Sequence, residues 1–272
     1  MSFKFGFPGV SKNIKISAGV RLVDGKFIFN FDDDGKGDII SLAEIALKES
    51  SIFHHTYFYG YEFLSDVPSK IRTEFINQIK NLEEPTFDKE NLERFLINPI
   101  REFGKKLHKM DCIVYPVSQR TNINQAIVHY IYKFALVSSE NYLKLEMIKN
   151  ADDKIEFDFN LFEINHSHKR QYPEMRKAAE HFIKGIKSNT GYFSLANDVP
   201  PKYRSCMRNC LIFQDDADSL ISKLDKKNIL IVDDINTTQN TLQKVLRVIH
   251  KMAMPKKVII LTMLGKSYNK LV

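Results

Sequence analysis

The sequence predicts an α/β fold, a mainly parallel sheet flanked by helices, and three observations predict it. The first is the run Asn228-Ile229-Leu230-Ile231-Val232-Asp233-Asp234, too short for a helix and rich in β-branched residues and leucine. Such a run reads as a buried parallel strand whose C-terminal end delivers two carboxylates into a crevice, where open α/β sheets take their ligands. Behind it come Asn236, Thr237, Thr238, Gln239, Asn240 and Thr241, then Leu242, Val245, Leu246 and Ile249 at helical spacing. A helix opening on a polar loop offers free N–H groups to a phosphate. The second is another strand-loop-helix pattern, Cys112 to Pro116, a polar loop holding Ser118, Gln119 and Arg120, and an apolar-rich helix from Asn124 to Leu136. The third is Val258 to Leu264, an apolar run introduced by Pro255-Lys256-Lys257. Strands alternating with helices favour parallel pairing, because parallel strands need crossovers.

Composition sets the outer limits. The chain has 272 residues, 43% hydrophobic and 27% charged, and is long enough to bury a sizeable core. No apolar run reaches the ~18 residues of a membrane span, and Met1-Ser2-Phe3-Lys4 starts no signal-peptide apolar region, so a cytoplasmic protein with no membrane partner is expected. Cys112, Cys206 and Cys210 form neither an even disulfide framework nor a CxxC pair, which suits a reducing compartment. The net charge of +7 suits small anionic ligands as well as nucleic acid. Without an aromatic-basic repeat or a DNA-binding motif, charge alone is weak support for nucleic acid.

Taken in order, residues 1–108 read as an α+β accessory region and residues 109–272 as the core, with an insertion around 150–200. Asp24-Gly25 between Val20–Val23 and Phe27–Phe31 is a tight-hairpin signal. Asn30 to Gly35 imitates half of a calcium loop, but Ser41 stands where the bidentate acid belongs; Ser41 with Glu44 instead fits the capping box of a helix. Ser50 to Leu64 is dense in aromatics and reads as a packed patch, and the adjacent His54 and His55 lack a third ligand at useful spacing. Helical periodicity runs over Ser69–Glu84 and Asp88–His108.

Beyond the second strand-loop-helix, Tyr142–Ile148 reads as a strand, Lys154–Ile164 as a strand pair and Glu174–Lys187 as a helix. Asn165 to Arg170 is a polar, cationic loop in which His166 and His168 lack a third metal ligand. Arg208-Asn209 precedes a further strand at Leu211–Phe213.

Residues Ile229 to Thr241 resemble the PRPP-binding motif of the type I phosphoribosyltransferases: four apolar residues, two acids, two variable positions, then a Thr-Thr-Gly-x-Thr loop. Gln239 stands in place of the glycine. Tyr115-Pro116-Val117 with Arg120 and Asn124-Gln125-Ala126 is similar to the ComF-like branch, and the likeness covers roughly residues 110–150 and 200–272. The resemblance implies a magnesium-dependent transfer of 5-phosphoribosyl from PRPP to a nucleobase or other small acceptor. It assigns Asp233 and Asp234 to the ribose hydroxyls and, through water, to Mg2+. Thr237, Thr238, Gln239, Asn240 and Thr241 would hold the 5′-phosphate, and Ser118, Gln119 and Arg120 the pyrophosphate. His168, Lys169 and Arg170 fall where the family has a mobile loop that closes over the reaction. Thr237 stands where the 6-oxopurine enzymes carry an acid, which argues against hypoxanthine or guanine. The alternative is a PRPP- or nucleotide-binding module without turnover, either a regulator or a ComF-like accessory of DNA uptake, in keeping with Gln239.

Overall fold

The structure, a computed structural model, describes residues 18–31, 40–42, 48–52, 55–63, 66–80, 89–104, 110–117, 123–133, 143–149, 154–188, 199–214, 217–235 and 240–265. The first half of the chain carries β1 (Ala18–Val23), β2 (Lys26–Asn30), β3 (Ile40–Leu42), β4 (Lys48–Ile52), β5 (His55–Tyr61), α1 (Ser69–Lys80), α2 (Lys89–Gly104), β6 (Cys112–Pro116) and α3 (Ile123–Ile131). The second half carries β7 (Leu143–Lys149), β8 (Glu156–Phe157), α4 (Phe159–His166), α5 (Tyr172–Ser188), α6 (Pro201–Arg204), β9 (Met207–Arg208), β10 (Leu211–Phe213), α7 (Ala217–Leu224), β11 (Asn228–Ile235), α8 (Asn240–Met252) and β12 (Lys257–Leu264).

Among the described residues, seven strands form the main sheet in the order β10-β7-β6-β11-β12-β5-β4. The inner five are parallel, and β10 and β4 run antiparallel at the two edges. This is the α/β, mainly parallel architecture that the alternation of strands and helices predicts. β11 is the central strand, and Ile229 to Asp234 are buried along its length. A strand covered on both faces needs a continuous apolar run rather than alternation, which is what its sequence supplies.

The chain changes direction at this centre. β6 leads through α3 to β7 on one side, while β11 leads through α8 to β12 on the other. Right-handed crossovers running in opposite directions put their helices on opposite faces. Accordingly, Ile123, Ile127 and Ile131 of α3 share one apolar cluster with Leu230 and Val232, and Leu242, Val245 and Ile249 of α8 share the other with Ile229 and Ile231. Each such side chain, fully buried, contributes roughly 2 kcal/mol through the water it excludes. Asp111 pins the start of the pair, its carboxylate accepting from the Asn228 amide at 2.7 Å.

The N-terminal part differs from expectation in two places. The β1–β2 hairpin turns on Asp24 at φ 49° and Gly25 at φ 75°, the positive pair that Asp-Gly favours. Ser41, expected to cap a helix, lies in β3 and pairs with Gly19. The aromatic-dense stretch becomes β5, parallel to β12, with Tyr57, Phe58, Tyr59 and Tyr61 buried. β4 and β5 therefore extend the main sheet, and the boundary expected after residue 108 does not divide it. A tyrosine-rich strand buried on both faces has neither polar alternation nor an aliphatic run to announce it. Gly60 is required where α2 crosses this strand: a Cβ there would lie 2.6 Å from Pro99 Cγ.

Between β7 and β10, residues 154–188 and 199–210 build a cluster of their own around Phe162, Ala179, Ile183, Tyr203 and Cys206. The strand pair expected over Lys154–Ile164 reduces to the two-residue β8, which pairs with β9. Asp158 ends it, because its carboxylate caps α4 by accepting from the Leu161 amide at 2.8 Å.

Candidate functional site

The two acids stand at the C-terminal end of the central strand, where the crossovers diverge. Adjacent parallel strands send their loops off the same edge, so the segments after β6 and β11 both leave from this end of the sheet. A crevice at such a divergence is the usual ligand site of an open α/β sheet. Asp233 is 5% and Asp234 7% exposed.

Buried carboxylates require partners, and here the partners are arranged asymmetrically. Asp233 Oδ1 accepts from the Asp234 amide at 3.0 Å and from Asn124 Nδ2 at 3.3 Å. Asn124 Nδ2 also donates to the Pro116 carbonyl at 2.8 Å, tying the start of α3 to the end of β6. Asp234 Oδ1 accepts from the Ile235 amide at 2.6 Å, and Asp234 Oδ2 lies 2.7 Å from Lys80 Nζ at the end of α1. Among the described residues, Asp233 Oδ2 and the buried Asn124 Oδ1 accept no hydrogen bond. Of the two, Asn124 Oδ1 is fully buried, which leaves Asp233 Oδ2 as the acceptor that suits a ligand hydroxyl group. Burial, and then the neighbouring Asp234 charge, hold the Asp233 carboxyl well above the usual carboxylate range, while Lys80 and Asn124 pull it down.

The sequence missed two of these residues as partners of the acids. Asn124 was visible as the start of a helix, but its amide was not assigned to Asp233. Lys80 gave no signal at all, being one more lysine in the last turn of a helix, 154 residues from the acid it meets.

The remaining predicted residues separate into three groups. Ser118, Gln119 and Arg120 of the expected pyrophosphate loop, and Thr237, Thr238 and Gln239 of the expected phosphate loop, lie outside the described residues, as does His54. Asn240 and Thr241 open α8, whose first-turn N–H groups have no partners within the helix. His168, Lys169 and Arg170 occupy the exposed turn between α4 and α5, and among the described residues no hydrogen bond or ion pair joins them to the acids. His55, paired in sequence with His54, instead faces His250 at the end of α8, Nε2 to Nε2 at 3.1 Å. Arg208 bonds Asp158 at 2.7 Å, and Asn209 makes the turn before β10 at φ 52°.

A magnesium ion fits this donor set only in part. Among the described residues no three His, Cys, Asp or Glu side chains gather as a protein cage. Magnesium commonly keeps several waters and takes oxygens from its ligand, and Asp233 Oδ2 is placed to receive one such water. Among the described residues no helix is long and apolar enough to cross a membrane.

The sequence matches no protein-family model and no curated protein sequence. Solved structures with a similar arrangement include a hypothetical protein from Neisseria gonorrhoeae with bound ppGpp, 10% identical over 68% of this chain and 74% of that one, TM-score 0.35. A hypoxanthine phosphoribosyltransferase from Staphylococcus aureus is 11% identical over 76% of this chain and 78% of that one, TM-score 0.35. An adenine phosphoribosyl transferase from Trypanosoma brucei, in complex with AMP, pyrophosphate and ribose-5-phosphate, is 10% identical over 80% of this chain and 86% of that one, TM-score 0.35. At this level of similarity, function has to be read from the chain's own residues.

Proposed function

We propose that the chain binds PRPP at the acid pair and transfers its 5-phosphoribosyl group to a nitrogenous base with release of pyrophosphate. The observation that carries this reading is the buried Asp233-Asp234 pair at the divergence of β6 and β11, with α8 opening directly behind it. Two adjacent carboxylates with unequal partners suit a vicinal diol. The ribose 2′- and 3′-hydroxyls donate to Asp233 Oδ2 and to Asp234, which fixes the ring. The first turn of α8, with Asn240 and Thr241, receives the 5′-phosphate together with the loop at 237–239.

With both ends of the sugar held, the reacting carbon is positioned rather than activated by a side chain. The acceptor nitrogen bonds to the anomeric carbon as the carbon–oxygen bond to pyrophosphate breaks, its electron pair leaving with pyrophosphate. Asp233 and Asp234 would hold Mg2+ through water, and the ion would supply positive charge to offset the negative charge of the leaving pyrophosphate. Asn124 keeps Asp233 turned toward the hydroxyls. Calorimetry with PRPP and Mg2+ tests the ligand, and a panel of bases followed by pyrophosphate release tests the reaction; absence of heat from PRPP would remove the reading.

A second reading, binding without turnover, is favoured by one observation: Gln239 places a side chain where close approach of backbone to phosphate calls for glycine. Ground-state affinity survives a looser phosphate cradle better than transition-state stabilisation does. In that form the protein is a regulator, or a ComF-like accessory whose polyanionic partner would be lost as salt rises. PRPP affinity without pyrophosphate release for any base distinguishes it from the enzyme.

A further inference from the structure

At the end of the sheet opposite the acids, two turns lie side by side. Residues 225–227 lead from α7 into β11, and residues 253–256 lead from α8 into β12. Along β11, roughly 15–20 Å of strand separates Asn228 from the acid pair. The Lys226 amide donates to the Met254 carbonyl at 2.9 Å, the Met254 amide to Asp225 Oδ1 at 3.0 Å, and the Lys256 amide to the Lys227 carbonyl at 2.9 Å. These bonds join the turns into one platform. Lys226 and Lys227 come from one turn, while Lys251, Lys256 and Lys257 flank the other, whose Met254 is 80% exposed.

Local structure accounts for only part of this charge. Lys251 stands in the last turn of α8, where a cation offsets the helix dipole. That effect fades beyond the last turn, and Lys226, Lys227, Lys256 and Lys257 lie outside the helices. Turn geometry does not call for a lysine either. Lys226 has φ 56°, a conformation that strains any residue with a Cβ and that glycine usually takes after a helix. Among the described residues the other non-glycines with positive φ are Asp24 and Asn209, the types that tolerate it. The charge at 226 is thus kept at a cost to the backbone. Nor is it cancelled: Asp225 and Asp111, the acids bonded to these turns, are outnumbered, and each accepts from a backbone amide. Among the described residues no ion pair engages the five lysines.

We infer that this end of the sheet docks on an anionic phospholipid surface, with the lysines among the headgroups and Met254 at the boundary of the acyl chains. A compact ammonium on a flexible stem suits headgroup phosphates and carboxylates, and a thioether side chain is apolar and adaptable. Duplex nucleic acid would answer the lysines but leave Met254 in water. Residues 225–228 and 251–257 hold no arginine to read a base edge and no phenyl or phenol ring to stack on one. A surface assembled from two turns distant in sequence needs no long apolar segment, so it is independent of any spanning helix. The acid pair lies at the other end of the strand, and docking here stands apart from whatever ligand the acids hold.

The test is co-sedimentation of the full chain with vesicles of phosphatidylcholine alone and with about 30% phosphatidylserine, at low salt and at about 0.15 M. Wild type should bind only the anionic vesicles, and less at the higher salt. Lys226→Gly combined with Lys256→Gln should weaken that binding about 25-fold, near fivefold for each lysine. The thermal midpoint of this variant should hold or rise, because glycine relieves the strained φ at 226; lysines that served the fold alone would give the reverse pattern. Met254→Ser should weaken vesicle binding about threefold without changing its salt dependence. Absence of binding to anionic vesicles, or binding that both variants leave intact, overturns the assignment. A mixed-sequence DNA duplex serves as the rival polyanion. If the lysine variant weakens duplex binding while Met254→Ser weakens neither duplex nor vesicle binding, the platform is a nucleic-acid surface, which overturns the membrane assignment.

Discussion

Among the described residues the chain buries charge in two places, and the two are built differently. At the end of β11, Asp233 and Asp234 have directional partners on one side and an unused acceptor oxygen on the other. On α8, Lys244 is 7% exposed and donates to the Arg204 carbonyl at 2.9 Å, joining the helix to the segment that precedes β9. Burial pushes the Lys244 ammonium down to about 8, with Arg208 and Arg247 adding to the push. A buried charge whose surroundings leave a valence open toward a crevice is prepared for a ligand; one enclosed between two elements fastens them. Substitutions should therefore separate the two, the acids affecting binding and the lysine affecting stability.

The largest effect is expected at the acids. Asp234→Asn and Asp233→Asn should each weaken PRPP by about 100-fold, since a hydrogen-bonded charge in a desolvated site is typically worth 2–5 kcal/mol on truncation. Stability should move the other way for Asp233. Its folded pKa is raised, so between the unfolded value and the folded one the native state binds more protons than the unfolded chain, and stability falls as pH rises through that window. Asp233→Asn removes this slope. In chemical denaturation of ligand-free protein it should be the more stable variant at pH 8, with the difference shrinking toward pH 4. An unchanged PRPP affinity in either variant would show the crevice to be elsewhere.

Asn124→Ala should cost less in binding but register in both measurements. It removes the donor shared by the Pro116 carbonyl and Asp233 Oδ1, and a buried acceptor left without its partner typically costs about 1–3 kcal/mol. Affinity for PRPP should fall about tenfold, with a lower denaturation midpoint. If only stability falls, Asn124 holds the loop and does not orient the acid.

These residues also show what the sequence could and could not disclose. The central strand was legible because Ile229 to Val232 are apolar without interruption, and the sharp change to acids and threonines marked its functional end. The Asp-Gly hairpin, β7 and β12 were legible for the same local reasons. β5 was not, because tyrosines serve surfaces and cores alike, and only its pairing with β12 decides between them. The α4 start was misread as a strand pair: Phe157, Phe159 and Leu161 alternate like a strand, but the Asp158 cap begins a helix within them. Lys80 and Lys244 were illegible in principle. A lysine on a helix is ordinarily solvated, and what pairs Lys80 and buries Lys244 is in each case a segment distant in sequence.

Lys244→Met sharpens the contrast from the other side. Its folded pKa lies below the unfolded value of about 10.4, so the native state binds fewer protons than the unfolded chain between about 8 and that value, and stability rises with pH across the interval. The full shift corresponds to roughly 3 kcal/mol at most, offset in part by the bond to Arg204 that methionine cannot make. The variant should be ~1 kcal/mol more stable than wild type at pH 7 and lose the rise in stability above pH 8, with PRPP affinity unchanged. A pH-independent loss of stability would mean that the bond to Arg204 outweighs the cost of burying the charge.

The smallest effect is expected at Asp158, and it tests whether the segment between β7 and β10 is coupled to the site. Asp158 caps α4 through the Leu161 amide and pairs with Arg208 Nη2 at 2.7 Å, bringing the start of α4 to β9. These bonds hold its carboxyl below the usual range, the backbone bond first and Arg208 second. The stabilisation is therefore present above the unfolded carboxylate pKa and is lost as pH falls through the depressed folded value. Asp158→Ala should cost ~1 kcal/mol, typical of a lost N-cap, and should abolish that acid-side loss. Hydrogen exchange should rise in α4 and around Arg208 while β11 and α8 keep their protection, because the segment has its own apolar cluster and meets α8 through Lys244. If exchange rises equally at β11, or PRPP affinity falls with the cap, the segment is part of the site and the division between fastening and binding charges does not hold at this boundary.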